Sequence, residues 1–361
     1  MTMYGLARPL LFALAPEEAH ELVLKSLEGG LYLKDTCPAD PALAVSIGAL
    51  RFPNPIGIAA GFDKDARVPD AVLGLGCGFA EVGTLTPLPQ DGNPRPRVFR
   101  LVDDRAMINR LGFNNGGHAA ARDRLVRRQG RSGIVGINVG ANKDSADRIG
   151  DYVAGIEAFY DLASYFMVNI SSPNTTGLRK LQDPSNLDEL LSRVMAARRT
   201  RTDRGEPARP VLVKIAPDVG DDEVGPICAQ LLTHAVDGIA VSNTTLSRPG
   251  IHSRAAREGG GLSGRPLFER STILLARVYR ETGGKVPLVG IGGVDSGETA
   301  LAKIEAGATL VQLYTGLVYE GPSLIGRIKR HLSAAVAASG TPSLGALIGR
   351  NADTWASKPL S

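Results

Sequence analysis

Short apolar runs recur along the chain from residue 54 onward, and amphipathic stretches separate most of them. Each run is rich in valine, isoleucine or leucine and ends in a small or polar residue, which is typical of a buried parallel strand. The stretches between them carry apolar residues at helical spacing. Eight such runs are present, at residues 56–60, 79–83, 134–138, 166–169, 211–215, 238–242, 287–291 and 309–313.

This alternation of strand and helix predicts an α/β fold with a parallel sheet. The clearest helical stretches are 186–199, 222–234, 267–279 and 296–305. Eight units in roughly 260 residues match a closed (β/α)₈ TIM barrel, which we place at 54–338. An open, doubly wound sheet is the alternative.

Residues 1–30 are predicted to form a two-helix extension before the barrel, divided at Ala15-Pro16. Pro16 suits a first helical position, Glu17 and Glu18 follow it, and Gly29 ends the second helix. The first helix is apolar on most sides, so it must pack on the body, pair with another chain or lie in a membrane interface.

Three further segments lie outside the predicted barrel units. Residues 31–53 are predicted to be a connector with a short hairpin that turns near Gly48, and residues 339–361 a loosely packed tail. The long insertion at 85–130 is rich in proline, glycine and specific polar residues, which favours a functional loop.

Composition excludes several classes of protein. The net charge of +4 is small for 361 residues, so a nucleic-acid partner is not indicated. Cys37, Cys77 and Cys228 are far apart, without zinc-site spacing, and are predicted to be reduced thiols. We find no secretory signal and no run of the roughly 20 apolar residues that a membrane span needs.

Polar residues cluster where the predicted strands end. The richest cluster runs from Asn169 to Thr175 and brings two amides and several hydroxyls beside Pro173. A plain turn is the alternative for that cluster alone. In a closed barrel all the carboxyl ends meet at one face, which would bring it close to Lys64, Lys214 and the polar ends of the other strands. No set of metal ligands and no serine–histidine–acid triad is present there, so a cofactor with its own reactivity is favoured.

Glycine-rich turns follow the last two strands, at Gly292-Gly293 and at Tyr314-Thr315-Gly316. Backbone amides converge in this part of a TIM barrel, so the turns together predict a phosphate site. Lys214 lies within an apolar strand and should therefore face a negative partner, either a ligand or an internal salt bridge.

Ordered motifs then make a family resemblance visible. The chain resembles the class 2, membrane-associated, quinone-dependent dihydroorotate dehydrogenases from its first helices to about residue 335. The serine at position 172 and the extra helices favour this class over the soluble class 1 enzymes, which have a cysteine there. The motifs that carry the resemblance lie at residues 59–64, 83–87, 92–97, 108–115, 169–175, 213–217, 242–245, 260–266, 290–294 and 312–316.

The resemblance implies FMN as the cofactor and dihydroorotate as the substrate. The FMN-binding residues it implies are Ala60, Gly61, Phe62, Asp63, Lys64, Thr84, Asn138, Asn169, Lys214 and Ser242, with Gly264, Gly293, Tyr314 and Thr315 at the phosphate. The substrate-binding residues it implies are Lys64, Asn109, Arg110, Leu111, Gly112, Phe113, Asn169, Asn174, Asn243 and Thr244.

The resemblance also implies roles for three single residues. Ser172 would be the base that takes the C5 proton while the hydride leaves C6 for the flavin, giving orotate for pyrimidine biosynthesis. His20 and Arg100 would line a tunnel for the quinone, formed by the two amino-terminal helices. The expected location is the cytoplasmic side of the cell membrane, peripherally bound, and no metal is expected.

Two other functions stay open from sequence. One is a soluble FMN-dependent dihydroorotate or dihydropyrimidine oxidoreductase that uses a non-quinone acceptor. The other is a barrel that binds a phosphate ligand without redox chemistry.

Overall fold

The structure is a computed structural model that describes residues 3–175, 177–248 and 250–360. Residues 1, 2 and 361, at the outer ends of the predicted extension and tail, lie outside this part. The strands are β1 Val45–Ile47, β2 Leu50–Phe52, β3 Ile56–Asp63, β4 Phe79–Leu85, β5 Val98–Leu101, β6 Ala106–Asn109, β7 Ile134–Val139, β8 Tyr165–Asn169, β9 Val211–Ile215, β10 Gly238–Val241, β11 Gly261–Gly264, β12 Leu288–Ile291 and β13 Ala308–Leu313.

The α-helices are α1 Met3–Ala13, α2 Pro16–Glu28, α3 Pro69–Gly74, α4 Gly117–Arg128, α5 Arg148–Phe159, α6 Pro184–Asp203, α7 Asp221–Thr233, α8 Phe268–Glu281, α9 Gly297–Glu305, α10 Thr315–Glu320, α11 Ser323–Ser339 and α12 Ala352–Ala356. The four helical stretches predicted between strands correspond to α6, α7, α8 and α9, and the division of the extension at Ala15-Pro16 is confirmed.

Eight strands close into a barrel in the order β10-β12-β13-β3-β4-β7-β8-β9, and neighbouring strands are parallel. Every residue of β4, β8, β9 and β13 is buried, because helices cover the outside while side chains fill the inside. The predicted TIM barrel is confirmed, and the open sheet is excluded.

The predicted hairpin is β1 paired antiparallel with β2. Phe52 at its end packs edge-on against Phe79, the first residue of β4, with ring centroids 5.3 Å apart. It also lies 6.5 Å from the ring of Tyr165, the first residue of β8. The hairpin therefore covers the amino-terminal end of the barrel, opposite the predicted site.

The insertion folds at the other end of the barrel. Its strands β5 and β6 join β11 in an antiparallel sheet of order β11-β6-β5, which the sequence reading did not predict. Leu101, Ala106, Ile108 and Leu262 form its own small core, and all four are fully buried. This sheet carries Asn109 and Gly264 over the carboxyl ends of the strands.

The helices α1 and α2 are fastened to this upper end by ion pairs and backbone contacts. Glu17 of α2 pairs with the buried Arg97 over 2.9 Å. Arg67 bridges Glu21 and Glu28 of the same helix, at 2.7 and 2.6 Å. Leu24 and Leu27 of α2 are buried in the main core. Helix α2 thus packs on the barrel. Phe12 of α1 also lies edge-on to Tyr319 at 5.7 Å, so α1 contacts the body on that side, while Leu6 and Leu10 remain exposed.

The carboxyl-terminal segment corrects the prediction of a loosely packed tail. Leu344 and Leu347 are buried, at 0% and 1% exposure, and α12 packs on α8. Trp355 lies edge-on to Phe268 at 6.0 Å, while Arg277 donates to the carbonyl of Lys358 over 2.7 Å. The apolar residues of this segment are too widely spaced in the sequence to predict a long amphipathic helix. Their role in packing is therefore visible only in the folded chain.

Candidate active site

One large cavity opens at the carboxyl ends of the barrel strands. The strand ends form its floor, and the antiparallel sheet covers one side. The other side is lined by α1, α2 and the connector. Its volume is about 1130 Å³, slightly above the roughly 300–1,000 Å³ of ordinary small-molecule sites. It therefore has room for a cofactor together with a smaller ligand.

Most of the predicted site residues line this single cavity, although they come from distant parts of the chain. They are His20, Ala60, Gly61, Phe62, Lys64, Thr84, Arg100, Asn109, Leu111, Gly112, Phe113, Asn169, Ser172, Asn174, Lys214, Ser242, Asn243, Thr244, Gly264, Gly293, Tyr314 and Thr315.

Three predicted residues do not line it. The carboxylate of Asp63 accepts hydrogen bonds from the backbone N–H groups of Arg67 and Val68, both over 2.8 Å, and so orders the turn after β3. Arg110 points away to Glu258, at 2.8 Å. Asn138 lies beneath the cavity wall, where it supports Thr84.

Buried amides and hydroxyls form a continuous chain under the cavity. Asn169 donates to the Thr84 hydroxyl over 2.9 Å, and that hydroxyl donates to Asn138 over 2.6 Å. On the other side, Ser171 donates to Asn169 over 2.9 Å, and Asn243 donates to Ser171 over 2.9 Å. Because each member has a fixed partner, the amides that face the cavity are held in one orientation.

Ser172 is 5% exposed and lies three residues after the end of β8. Its hydroxyl oxygen accepts a hydrogen bond of 3.2 Å from the backbone N–H of Asn174. The side chain of Asn174 donates to Asn109 over 3.3 Å, which joins this loop to the antiparallel sheet. An N–H group aimed at the oxygen stabilises negative charge there, as a proton acceptor requires.

Two lysines face the cavity: Lys64 is half-buried and Lys214 is buried. Burial lowers the pKa of Lys64 to about 8, against the opposing pull of Glu17, and its ammonium donates to the carbonyl of Gly61 over 2.8 Å. Burial also lowers the pKa of Lys214, while the carboxylate of Glu81 raises it. Among the residues that the structure describes, no carboxylate forms a direct salt bridge with Lys214. The internal salt bridge that the sequence left open as an alternative is therefore not found.

Sequence reasoning missed the acidic centre of the barrel interior. Glu81 of β4 is 3% exposed and accepts hydrogen bonds from Asn138, Tyr165 and Gln312 over 2.9, 2.8 and 2.7 Å. The sequence did contain an indication of this centre, because Glu81 and Gln312 each lie within an otherwise apolar strand run.

The polar end of the cavity fits a phosphate-bearing cofactor. Gly293 has φ +71°, and a Cβ there would lie 2.7 Å from the backbone nitrogen of Phe268, where α8 begins. Only glycine lets this turn approach a helix N-terminus so closely. Nearby, Thr315 hydrogen-bonds Ser263 over 2.8 Å at the start of α10. Unobstructed amides, hydroxyls and two lysines match the donors that a flavin phosphate and ring need.

The opposite end of the cavity is apolar. His20 of α2 lies edge-on to Phe62 at 5.3 Å, and Phe62 lies edge-on to Tyr314 at 5.7 Å. Burial lowers the pKa of His20 to about 3, helped by nearby Lys64, and its Nε2 is buried without a partner. Arg100 donates to the carbonyl of Leu14 over 2.9 Å, at the end of α1.

Two features are absent from the residues the structure describes. No group of three histidine, cysteine, aspartate or glutamate side chains is arranged to hold a metal ion. No helix in the ranges 3–175, 177–248 and 250–360 combines the length and apolarity needed to cross a bilayer.

The fold and site define a class: a TIM-barrel oxidoreductase with a flavin site at the carboxyl ends of its strands. Comparisons with known proteins identify the family. The sequence profile described as "Dihydroorotate dehydrogenase" matches residues 42–336. The chain belongs to the dihydroorotate dehydrogenase family.

Its relatives extend the match to nearly the whole chain. The "Dihydroorotate dehydrogenase (quinone)" of Brucella ovis is 59% identical over 356 residues, covering 98% of each chain. The same enzyme of Brucella anthropi is 58% identical, covering 99% of this chain and 98% of its own. A solved structure of DHODH from Eimeria tenella in complex with ferulenol has a TM-score of 0.89 and 36% identity, covering 95% of this chain and 98% of that one. The resemblance to quinone-dependent enzymes inferred from the motifs is confirmed.

Proposed function

We propose that this protein oxidises (S)-dihydroorotate to orotate in de novo UMP synthesis, with FMN as its flavin and a quinone as electron acceptor. One observation carries the proposal: a single cavity joins Ser172, the amide cluster and Lys214 to an apolar branch beside α2. Full-length relatives named for quinone-dependent dihydroorotate dehydrogenase support the same reaction.

The residues that would hold FMN are those of the cavity floor and its glycine-lined end. Lys214 would face the part of the ring that gains negative charge, and Thr84 and Asn169 would present fixed polar groups. Gly293 and Thr315 would admit the phosphate to the start of α8 and α10. When bound, FMN supplies hydride acceptance and electron transfer, chemistry that protein side chains lack.

The substrate would lie between the flavin site and the loop after β8. Lys64 is largely protonated at neutral pH, because its pKa is about 8, and would hold the substrate carboxylate. Asn109, Asn174 and Asn243 both donate and accept, which suits a ring of alternating C=O and N–H groups. Ser172 would remove the C5 proton, helped by the Asn174 N–H that points at its oxygen.

The apolar branch would admit the quinone. His20 stays neutral at physiological pH, so it adds no charge beside an apolar ring. Leu6 and Leu10 of α1 are 66% and 75% exposed, and Leu31 and Leu33 of the connector are 77% and 69% exposed. These leucines would enter the headgroup region of the cytoplasmic face of the cell membrane, giving peripheral binding.

This assignment gives each segment of the chain a function. Residues 1–30 would form the quinone-tunnel and membrane segment, and 31–53 the connector. Residues 54–338 would form the FMN-binding barrel. Residues 339–361 would stabilise it by packing against α8.

The test is an anaerobic titration of the purified protein with dihydroorotate, followed in the flavin absorbance band. We expect stoichiometric bleaching, then recovery of the absorbance on addition of a ubiquinone analogue. Protein purified without flavin absorbance would favour a phosphate-binding barrel. Bleaching with no recovery on quinone, but recovery with fumarate or a nicotinamide, would favour the soluble oxidoreductase.

A further inference from the structure

The side chain of Arg179 joins three loops at the carboxyl ends of the neighbouring strands β8, β9 and β10. Its Nε donates to the carbonyl of Ser171 over 3.2 Å, in the loop after β8. One terminal nitrogen donates to the carboxylate of Asp218 over 2.8 Å, in the loop after β9. The other donates to the carbonyl of Thr244 over 3.0 Å, in the loop after β10. Each nitrogen of the guanidinium thus has its own acceptor, and the proposed reaction gives Arg179 no function.

The backbone that carries Arg179 is itself fixed. Arg179 lies in a short 3₁₀ turn at Leu178–Gln182. The side-chain oxygen of Gln182, which is 9% exposed, accepts a hydrogen bond of 3.0 Å from the backbone N–H of Ala216. The turn is therefore tied to the loop after β9 before the guanidinium adds its own contacts.

Asp218 holds the guanidinium in place. The two side chains are largely shielded from solvent, with Arg179 23% and Asp218 20% exposed. Asp218 also accepts a hydrogen bond from the backbone N–H of Leu246 over 2.8 Å, and another from the hydroxyl of Thr245. Hydrogen bonds between a guanidinium and a carboxylate are charge-assisted and directional. Asp218 therefore anchors both Arg179 and the loop after β10.

The two carbonyl acceptors of Arg179 lie at the proposed active site. Ser171 is fully buried and directly precedes Ser172, the proposed base, and Thr244 lines the cavity. The Ser171 hydroxyl donates to Asn169 and accepts from Asn243, each over 2.9 Å. Side chain and carbonyl of Ser171 are thus held by different partners. Because a peptide bond is planar, fixing the Ser171 carbonyl also fixes the plane that carries the nitrogen and Cα of Ser172.

We propose that Arg179, held by Asp218, is a positioning residue that aligns the Ser172 hydroxyl for removal of the substrate proton. The inference rests on the proposed function, because it assumes that Ser172 is the base. Neither Arg179 nor Asp218 lines the cavity, so both act through the backbone of the loops and not on the ligand.

The test is Arg179→Ala in the flavin-loaded protein. We expect reduction of the flavin by dihydroorotate to be about 10- to 100-fold slower, because a small displacement of a reacting group is costly in rate. Reoxidation of the reduced flavin by a ubiquinone analogue should be unchanged, since that step does not use Ser172. Anaerobic stopped-flow absorbance measures both half-reactions. Reduction at the wild-type rate overturns the proposal, and so does an equal loss in both half-reactions.

The variant keeps a cation near Asp218. The Nε of Arg270, on α8, lies 3.7 Å from the carboxylate of Asp218 and donates to the carbonyl of Pro217 over 2.9 Å. Loss of Arg179 therefore does not leave Asp218 as an isolated charge, which favours retention of the fold.

Arg198→Ala is the matched control at the opposite end of the barrel. Arg198 hydrogen-bonds Asp237, and their side chains are 21% and 31% exposed, close to the values for Arg179 and Asp218. Asp237 likewise accepts from a backbone N–H, that of Val211, over 2.8 Å. Urea denaturation should show similar losses of stability in the two alanine variants, while only Arg179→Ala slows flavin reduction. An equal slowing in Arg198→Ala overturns the proposal.

Two milder variants test the geometry, and they decide if Arg179→Ala does not fold. Arg179→Lys keeps the charge but lacks the planar fork that spans three acceptors, so its flavin reduction should also be slow. Asp218→Asn should slow the same step, because the amide cannot accept at both positions. Their double variant should be about as slow as the slower single variant, since both changes act through one contact. A wild-type rate in Arg179→Lys, or additive losses in the double variant, overturns the proposal.

Failure of the proposed function is distinguishable from failure of this inference. A wild-type flavin that dihydroorotate does not reduce would refute the function. Normal reduction of the wild type, together with an undiminished rate in Arg179→Ala, would refute the inference alone.

Discussion

The hydroxyl oxygen of Ser172 accepts a hydrogen bond from the backbone N–H of Asn174 over 3.2 Å, within a loop that also contributes the side chain of Asn174 to the cavity. The same backbone turn therefore holds the proposed base and one of the proposed substrate-binding amides. A change at either position should separate binding from proton transfer.

Ser172→Ala should retain flavin and orotate binding but slow flavin reduction by dihydroorotate. The loss expected for a positioned base is about 10²- to 10⁴-fold. Anaerobic stopped-flow absorbance measures the reduction rate, and difference spectra measure orotate binding. Ser172→Cys is the matched control, because its sulfur can accept a proton as the thiolate. Reduction of the alanine variant at the wild-type rate would remove Ser172 as the base.

Replacing the exposed leucines of α1 should weaken membrane binding. We expect the double variant Leu6→Ser and Leu10→Ser to bind vesicles more weakly. Burying apolar surface contributes about 25 cal/mol of binding free energy per Å², and the variant loses that surface. Turnover should fall with a long-chain quinone in vesicles and stay unchanged with a short water-soluble analogue. Leu88→Ser, at a position 67% exposed on the barrel insertion, is the control. Equal effects of the two variants would argue against a dedicated membrane face.

His20 should make the fold less stable in acid. Its folded pKa of about 3 lies below the ordinary value of 6.5, so the unfolded chain binds a proton that the folded chain does not. Stability should therefore fall as the pH drops through 6.5, by up to about 2 kcal/mol between pH 7 and 5. Chemical denaturation at both pH values measures this. His20→Gln should reduce the acid-side loss by that amount, and an unchanged loss in this variant would contradict the prediction.

The carboxyl-terminal segment should contribute to stability. Leu344 is fully buried, so Leu344→Ala is expected to lower the free energy of unfolding by about 2–5 kcal/mol. Leu232→Ala, at a position 37% exposed near the end of α7, should cost much less. Urea denaturation of both variants makes the comparison. A loosely packed tail, as first predicted from sequence, would show no difference between them.

Much of the architecture was predictable because local sequence sets it. Apolar runs bounded by polar residues marked the barrel strands, and Pro16 with Gly29 marked the limits of α2. The antiparallel sheet was not predicted, because its strands β6 and β11 are far apart in the chain and β11 is half glycine. Periodicity does not reveal a pairing between such short, distant segments.

Some residues of the candidate site could likewise be predicted from the sequence, and others could not. Residue type and motif order indicated Ser172, Lys214 and the amides, since strand ends of a barrel converge whatever their spacing in sequence. Asp63 belongs to the same motif as Lys64, yet its side chain turns toward backbone amides beneath the cavity.

The sequence by itself determined the order of strands and helices, the polar character of the strand ends and the family to which the chain belongs, because these depend on local pattern and motif. Tertiary structure alone decided that Glu81 accepts hydrogen bonds from side chains on three other strands, that His20 lies edge-on to Phe62 and that α12 packs on α8. Those relationships depend on which side chains meet after the barrel closes, and burial then determines their charge.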